Sequence, residues 1–277
     1  MNKHLAWIND RSVPARVSHS QINMFLNCPR QWAFRYVDGV IAPPGVSMIR
    51  GSSVHTAAES NYRSVIETGE ALEVEAVKAI AADDVETRFR GGVRLADEEA
   101  ASGLAKVRGS VKDDAVSLAE IHAVEVAPTH DPIAVEESHI ITNAETGNKV
   151  KIIVDMRELD SLHDIKTGSK APASTVADKS MQLTLYSAGF LVLTGALPRE
   201  VVLDYVIRTA GGKTTKPKTY SKSYASKRTL EDIKAAFRVV ENVVESMRKG
   251  VSHGNPTSNL CSPKWCGYYG RCPYVSK

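Results

Sequence analysis

Residues 149–170, KVKIIVDMRELDSLHDIKTGSK, are the segment that decides the fold. Residues 150–158 alternate apolar and mixed positions and are rich in Val and Ile, which is typical of a β-strand. Asp160 and Ser161 have the character of a turn, and residues 162–167 are predicted to be a second strand. The segment therefore predicts a β-hairpin.

Three charged side chains interrupt this apolar hairpin: Asp155, Asp164 and Lys166. Side chains two residues apart on a strand share a face, so Asp164 and Lys166 point the same way, and the hairpin brings Asp155 near them. Unpaired charge on a half-buried sheet is costly. Two interpretations remain open. The carboxylates bind a hard cation such as Mg²⁺ while Lys166 orients a water, or Lys166 simply forms an ion pair at a sheet edge.

The composition is that of an ordinary globular protein. The chain has 277 residues, 43% hydrophobic and 24% charged, with a net charge of +3 that is compatible with a polyanionic partner but does not argue for one. No apolar run is long enough to span a bilayer, and the N-terminus lacks the apolar region of a signal peptide. We therefore expect a cytoplasmic protein with no membrane partner, in which cysteines are metal ligands or free thiols rather than disulfides.

Two short helices are predicted near the N-terminus, after an irregular arm over residues 1–17. Ser18 and Gln21 match the S-x-x-Q capping box of a helix start. Pro29 is expected to begin a second helix, with Cys28 near its N-cap.

A longer helical region is predicted to begin at Gly51, after a loop at 38–50. Its small residues allow a second backbone or a nucleic-acid strand to approach closely. His55 falls in the first turn, where a histidine is either structural, exposed or a ligand. Residues 67–122 are predicted to form a helical insertion, broken around 91–92, that covers one side of the core.

Strands and helices alternate in the second half of the chain. We predict strands at 133–142 and 200–208 and a helix at about 175–194. Glu136, on the first strand, faces either the charged hairpin or solvent. The helix has an apolar stripe at helical spacing: Met181, Leu185, Ala188 and Val192. Two polar residues lie four apart on an adjacent face: Gln182 and Tyr186.

The segment 211–228, GGKTTKPKTYSKSYASKR, carries six Lys or Arg residues and no acid. It is either a solvated loop or hairpin, or an arm that contacts phosphate. Thr229 is predicted to cap the last long helix, which ends at Gly250. The predicted core face of that helix is Ile233, Phe237, Val240, Val244 and Met247. This order of elements predicts an α/β fold with a mixed central sheet.

The four cysteines are unevenly distributed. Cys261, Cys266 and Cys272 lie within twelve residues, CSPKWCGYYGRC, whereas Cys28 is far away in sequence. Four thiolates can complete a tetrahedral zinc site or hold a 4Fe–4S cluster. Unrelated free thiols do not normally cluster in this way, so the pattern predicts a metal site.

Together these motifs resemble the PD-(D/E)XK nuclease superfamily, and in particular its RecB-like iron–sulfur group, which includes the CRISPR-associated RecB-like exonucleases and the AddB nuclease domain. In that group one cysteine precedes the nuclease core and three follow it. The matching segments occur in the family order: Ser18-x-Ser20 with CPRQW, RGSSVH ending in His55, Asp155, Asp164-Ile165-Lys166 with Thr167-Gly168, and Gln182-x-x-x-Tyr186. Two positions depart from it: four residues separate Cys261 from Cys266, where two are commoner, and Ile153 stands where the family commonly has Gly.

The resemblance implies a restriction-endonuclease-like α/β core, with a mixed central sheet flanked by helices and the helical insertion at about 67–122. It implies one nuclease domain over residues 1–277. Cys28 and residues 251–277 would form an iron–sulfur clasp joining the two ends, and its ligands would be Cys28, Cys261, Cys266 and Cys272. Zinc is the alternative occupant of this site.

The implied activity is that of a metal-dependent DNA exonuclease acting on single-stranded DNA or DNA ends, in recombination, repair or phage replication, with recombination or repair proteins as further partners. Mg²⁺ or Mn²⁺ would be bound by His55, Asp155, Asp164 and the Ile165 carbonyl. The catalytic residues would be His55, Asp155, Asp164 and Lys166. The DNA-contacting residues would be Gln182, Tyr186, Lys213, Lys216 and Lys218. Gln182 and Tyr186 would contact the strand or support Lys166, and Tyr186 would stack on a base.

Two functions of other classes remain open on the sequence. One is a non-catalytic DNA-end-binding subunit with a zinc or iron–sulfur structural site. The other is a zinc-stabilised RNA-binding module.

Overall fold

The computed structural model describes residues 16–212 and 214–275. The predicted N-terminal arm therefore lies almost wholly outside the described residues, and so does Lys213. The described residues contain eight α-helices: α1 (His19–Asn27), α2 (Pro29–Tyr36), α3 (Val46–Thr68), α4 (Val74–Arg90), α5 (Asp97–Ser102), α6 (Leu104–Ile121), α7 (Met181–Thr194) and α8 (Leu230–Arg248). They also contain six strands: β1 (Val17–Ser18), β2 (Ala134–Thr142), β3 (Lys149–Arg157), β4 (Ser161–Gly168), β5 (Glu200–Arg208) and β6 (Thr219–Ser226).

The strands pair in both directions, which gives the mixed sheet predicted from the sequence. β1 pairs with β3 in parallel and β3 pairs with β4 antiparallel. β4 pairs with β5 in parallel, and β5 pairs with β6 antiparallel. β2 also pairs with β3. The α/β fold class is confirmed.

The described residues divide into two compact units. The first comprises the residues up to Pro43, His139–Ile152 and the residues from Thr229 onward. Its core includes Ile22 of α1, Trp32 of α2 and Val240 of α8, all buried. Thr229 caps α8 through a reciprocal capping box with Asp232, one of the N-terminal signals predicted.

The second unit comprises Pro44–Ser138 and Ile153–Arg228. Helices α3, α4 and α6 share an apolar cluster that includes Ile49, Val85 and Leu118. The end of β3 and the strands β4, β5 and β6 belong to the same unit. The insertion is helical as predicted, with the break at 91–92 between α4 and α5. The prediction of one domain over residues 1–277 stays a prediction.

Helix α3 begins earlier than predicted. The expected loop at 38–50 ends at Gly45, which has extended backbone and precedes the first helical residue, Val46. Two prolines before Gly45 stop the helix from extending further toward the N-terminus. His55 therefore lies in the third turn of α3, not in the first.

Helix α7 begins later than predicted, at Met181, because the Ser180 hydroxyl accepts a hydrogen bond from the Leu183 amide and caps the helix there. The predicted apolar stripe is wrong at Val192, which is 70% exposed. Residues 183–190 are all buried, so this part of the helix is enclosed on every side rather than amphipathic, whereas its C-terminal end is exposed.

The basic segment is partly a strand. Its second half forms β6, which pairs antiparallel with β5 over eight residue pairs, so the segment completes a hairpin, one of the structures predicted for it. No helix in the described ranges, 16–212 and 214–275, has the length and apolar character needed to cross a bilayer.

Candidate metal-binding active site

The predicted catalytic residues come from three elements of the second unit, and a fourth element carries Gln182 and Tyr186. His55 lies on α3, Asp155 on β3, and Asp164 with Lys166 on β4. Gln182 and Tyr186 lie on α7. The antiparallel pairing of β3 with β4 is the hairpin predicted from residues 149–170. The fold therefore gathers residues from positions 55 to 186 into one site.

Asp155 connects the helix to the hairpin. Its Oδ2 accepts a hydrogen bond from the Ile165 amide at 2.8 Å and lies 3.3 Å from His55 Nδ1. The Ile165 backbone also hydrogen-bonds the His55 imidazole. The three residues thus form one contiguous group at the junction of α3, β3 and β4.

Asp164, Lys166, Gln182 and Tyr186 form a hydrogen-bonded network. Lys166 Nζ lies 2.5 Å from Asp164 Oδ2 and donates to Gln182 Oε1 at 3.0 Å. Gln182 Nε2 donates to Asp164 Oδ1 at 2.6 Å, and the Tyr186 hydroxyl donates to the same oxygen at 3.1 Å. The ion pair that the sequence left as an alternative is therefore present, within a larger network.

Tyr186 is buried, which does not fit the prediction that it stacks on a base. Its side chain is 2% exposed, so its ring is not available for a base to stack on. Its hydroxyl contacts Asp164 and Gln182 instead. Of the two roles predicted for this residue, support of the charged network is the one consistent with its burial.

The two aspartates carry an excess of negative charge. Burial, and then the charge of Asp164, raise the pKa of Asp155 well above its ordinary value. Lys166 is the cation beside them; burial lowers its pKa, but the charge and hydrogen bond of Asp164 together with the charge of Asp155 outweigh burial, so the net pKa is raised. An added divalent cation would favour the ionised form of Asp155.

His55 is suited to ligation. Burial lowers the pKa of its imidazole below the ordinary value, and the charge of Asp164 opposes that shift. A neutral imidazole is the form that binds a metal ion. The donor set of one imidazole with carboxylates fits Mn²⁺ and Mg²⁺, so the residues present suit the metals that the family implies.

Glu136 is a further acidic residue at this site, and its orientation was left open by the sequence. Its carboxylate, Asp155 and His55 each offer a ligand atom, and these atoms lie within 4.8 Å of one another. Glu136 has φ of +49°, which is strained for a residue other than Gly and is found most often at functional sites. Strand alternation alone could not orient Glu136, because this backbone departs from regular strand geometry.

A cleft of about 450 Å³ opens beside His55. Small residues of α3, Gly51 and Ser52, line it, as the sequence suggested for a close approach. Arg88 of α4 also lines it, with its guanidinium paired to Asp84. The cleft therefore has room for a ligand, and the Arg88 guanidinium places a positive charge on its wall.

The basic segment contributes exposed lysines and one buried arginine. Lys216 and Lys218 are exposed. Arg228 is buried, where it donates to the Thr184 hydroxyl and to backbone carbonyls including that of Ala177. Arg228 thus holds the start of α7 and is not free to contact phosphate.

The four cysteines lie together in the first unit. None is in a disulfide, and all four line one cavity with Phe34 and Tyr268. Burial, and then the neighbouring thiols Cys272 and Cys28, raise the pKa of Cys261. Folding therefore brings Cys28 to the three C-terminal cysteines, as a shared metal site requires.

Comparison with known proteins agrees with this geometry. The sequence profile of the PD-(D/E)XK nuclease superfamily matches residues 16–273. A solved structure described as "Crystal structure of SSO0001" aligns over 92% of this chain and 98% of its own, with 13% sequence identity and a TM-score of 0.37. Comparison with curated proteins gives no match. Because the family profile covers nearly the whole chain and its charged motif forms one site, the chain belongs to the PD-(D/E)XK nuclease superfamily.

Proposed function

We propose that the protein is a metal-dependent DNA exonuclease that acts on single-stranded DNA or DNA ends, in recombination, repair or phage replication. The observation that carries this proposal is the convergence of His55, Asp155, Asp164 and Lys166 beside an open cleft. Family membership supports nuclease chemistry. The accessible cleft and the exposed lysines of the basic segment support a polyanionic substrate.

The proposed metal ligands are His55, Asp155, Asp164 and the Ile165 carbonyl, with Glu136 as an additional carboxylate. A bound Mg²⁺ or Mn²⁺ ion supplies charge stabilisation at the phosphodiester and lowers the pKa of a water. Asp155 is held in place by the Ile165 amide, so its carboxylate keeps one orientation in the absence of a ligand. That preorganisation is what a metal-dependent site requires.

Lys166 is proposed to orient the attacking water and to offset negative charge on the phosphate. It is one-third exposed, so its ammonium group is accessible from solvent. Gln182 accepts from Lys166 and donates to Asp164, so one amide sets the positions of a cation and a carboxylate together. We therefore propose that Gln182 and Tyr186 position Asp164 and Lys166 and do not contact DNA directly.

We further propose that the four cysteines hold a 4Fe–4S cluster. Their convergence on one cavity from both ends of the sequence supports one shared site, and the resemblance to the iron–sulfur nucleases supports a cluster as its occupant. Iron and sulfide content of anaerobically purified protein tests it. One zinc per chain without iron would overturn the cluster and leave the shared site intact.

The activity is tested by digestion of 5′-labelled and 3′-labelled single-stranded and double-stranded DNA with Mg²⁺ or Mn²⁺. We expect release of short products from one labelled end, and loss of that activity in Asp164→Asn. The same assay on circular single-stranded DNA is the control for end dependence. Cleavage of the circle would contradict exonuclease action. No cleavage of any DNA, with DNA still bound, would favour the non-catalytic end-binding subunit.

A further inference from the structure

A second group of ligating side chains lies in the second unit and has no part in the proposed reaction. It consists of His130, Glu158 and His163, whose ligand atoms lie within 4.8 Å of one another. His130 precedes β2, Glu158 follows β3 and His163 lies on β4 next to Asp164. Because neighbouring strand residues point to opposite faces, His163 and Asp164 face opposite sides of the sheet.

A buried carboxylate orients both imidazoles. Asp204 on β5 is 1% exposed, and its Oδ2 lies 2.8 Å from His163 Nδ1 and 3.5 Å from His130 Nε2. The other ring nitrogens face Glu158: His130 Nδ1 lies 3.3 Å from Oε1 and His163 Nε2 lies 3.7 Å from Oε2. His163 therefore has Nδ1 on Asp204, whereas its Nε2 contacts the Ser161 hydroxyl at 3.1 Å and lies farther from Glu158. His130 has Nε2 toward Asp204 and Nδ1 toward Glu158.

This arrangement is common around protein-bound metals. A ligating histidine usually donates its second ring N–H to a carboxylate, which fixes the tautomer and the ring orientation. Asp204 occupies that position for His163, at 2.8 Å from Nδ1, and lies 3.5 Å from His130 Nε2. Glu158 is held as well, since it accepts hydrogen bonds from the Ser161 hydroxyl at 2.5 Å and from the Asp131 amide at 2.9 Å.

The charge of the group also calls for a cation. Glu158 and Asp204 lie together in a mostly buried space, and buried carboxylates are costly unless they are paired. Their ion-pair contacts include those with the two imidazoles. One divalent ion bound between the imidazoles and Glu158 would add positive charge beside both carboxylates.

We propose that His130, His163 and Glu158 bind one Zn²⁺ ion, with Asp204 orienting both imidazoles. Two nitrogen ligands and one carboxylate match the ligand preference of zinc, whereas Mg²⁺ prefers an all-oxygen set. The ion would join the segment before β2 to the β3–β4 turn and to the strand that carries Asp164. Its role is structural support of that strand. This inference does not depend on the proposed nuclease activity.

Cobalt titration of the full chain in the Asp155→Asn background, where the active site is impaired and with the cysteines filled by iron or alkylated, tests the proposal. We expect one equivalent of Co²⁺ with visible absorption bands of tetrahedral nitrogen and oxygen ligation and no thiolate charge-transfer band. Zn²⁺ should displace it, and a hundredfold excess of Mg²⁺ should not. His130→Gln and Glu158→Gln should each weaken Co²⁺ binding at least tenfold. Unchanged binding in both variants would overturn the proposal.

A measurement on the unaltered protein covers the case in which the variants do not fold. X-ray absorption of the zinc-loaded wild-type chain, with the cysteines filled by iron or alkylated, should report about two imidazole ligands per zinc. A shell without imidazole, or no retained zinc after dialysis, would overturn the proposal.

Discussion

Asp155 Oδ2 accepts a hydrogen bond from the Ile165 amide at 2.8 Å, which ties a proposed metal ligand of β3 to the backbone of β4. The same carboxylate lies in a buried site where its pKa is raised, first by burial and then by Asp164. The hydrogen bond from Ile165 favours the ionised form of Asp155, whereas burial and the charge of Asp164 disfavour it. Asp155 is thus held in position for a cation at a cost to the metal-free fold.

Asp155→Asn should stabilise the metal-free protein at neutral pH and abolish cleavage. The pKa of Asp155 is higher in the folded chain than in the unfolded chain. Its carboxylate therefore destabilises the fold increasingly as pH rises from the unfolded pKa to the folded pKa. Asn removes this charge and keeps an acceptor for the Ile165 amide. We expect a melting temperature higher by a few degrees, as about 1 kcal/mol gives in a chain of this size. Thermal melting in EDTA checks this, and Mn²⁺ should raise the melting temperature of wild type only.

Binding of Mn²⁺ should weaken on acidification at a pH above the ordinary range for aspartate. A metal ion binds the deprotonated form of Asp155, and the raised pKa means that protons compete earlier as pH falls. Because burial lowers the pKa of His55, that residue does not set the limit near pH 6.5. Calorimetric titrations across pH 4 to 8 measure the affinity. An affinity independent of pH would contradict this assignment of ligands.

Lys166→Ala should lower the cleavage rate by about 10²- to 10³-fold, as expected for loss of one electrostatic contact at the reacting group. Metal binding should persist, because the proposed ligands remain. Lys166→Arg is the matched control, since it keeps the charge and changes the geometry. Loss of Mn²⁺ binding in Lys166→Ala would instead identify a structural lysine.

Gln182→Leu should reduce kcat and leave KM for DNA nearly unchanged, because Gln182 positions Lys166 and Asp164 rather than binding the substrate. Gln182→Glu should shift the pH dependence of the rate, since it puts a third carboxylate beside Asp164. Single-turnover kinetics separates the two parameters. A rise in KM alone would return Gln182 to the set of DNA-contacting residues predicted from the sequence.

Lys216→Ala with Lys218→Ala should weaken DNA binding and flatten its salt dependence, by about 0.7–0.9 in the log–log slope for each phosphate that is no longer neutralised. Lys106→Ala with Lys249→Ala is the matched control, because these exposed lysines lie on α6 and at the end of α8. An equal effect in both pairs would mean that only net charge matters.

Cys28→Ser should remove the metal and lower the melting temperature. A covalent link closing more than two hundred residues constrains the unfolded chain by roughly 4–5 kcal/mol on chain-entropy reasoning. Iron content, brown colour and thermal melting are the measurements. Full metal content with an unchanged melting temperature would show that Cys28 is not a ligand.

Local chemistry in the sequence determined much of the fold. The Val- and Ile-rich hairpin at 149–170, the Pro29 helix start and the Thr229 capping box depend on neighbouring residues, and each lies where it was predicted. The order of the motifs was enough to identify the family. The sequence did not predict that α3 begins at Val46 and α7 at Met181. Helix propensity locates a helix start less sharply than the extended backbone at Gly45 or the Ser180 cap does.

Tertiary structure decided what the side chains do. Sequence spacing related Asp164 to Lys166 because they share one strand, but the contacts of Gln182 with both required α7 to pack on β4. Burial removed Tyr186 and Arg228 from the residues that can touch DNA. The strained backbone at Glu136 lies in an irregular part of its strand. A second group comes together from segments that are distant in sequence: His130, Glu158, His163 and Asp204. The sequence by itself thus determined the motifs and which of their residues share a face of a strand or helix. The contacts of each side chain were decided by burial and by long-range packing, because both depend on the whole folded chain.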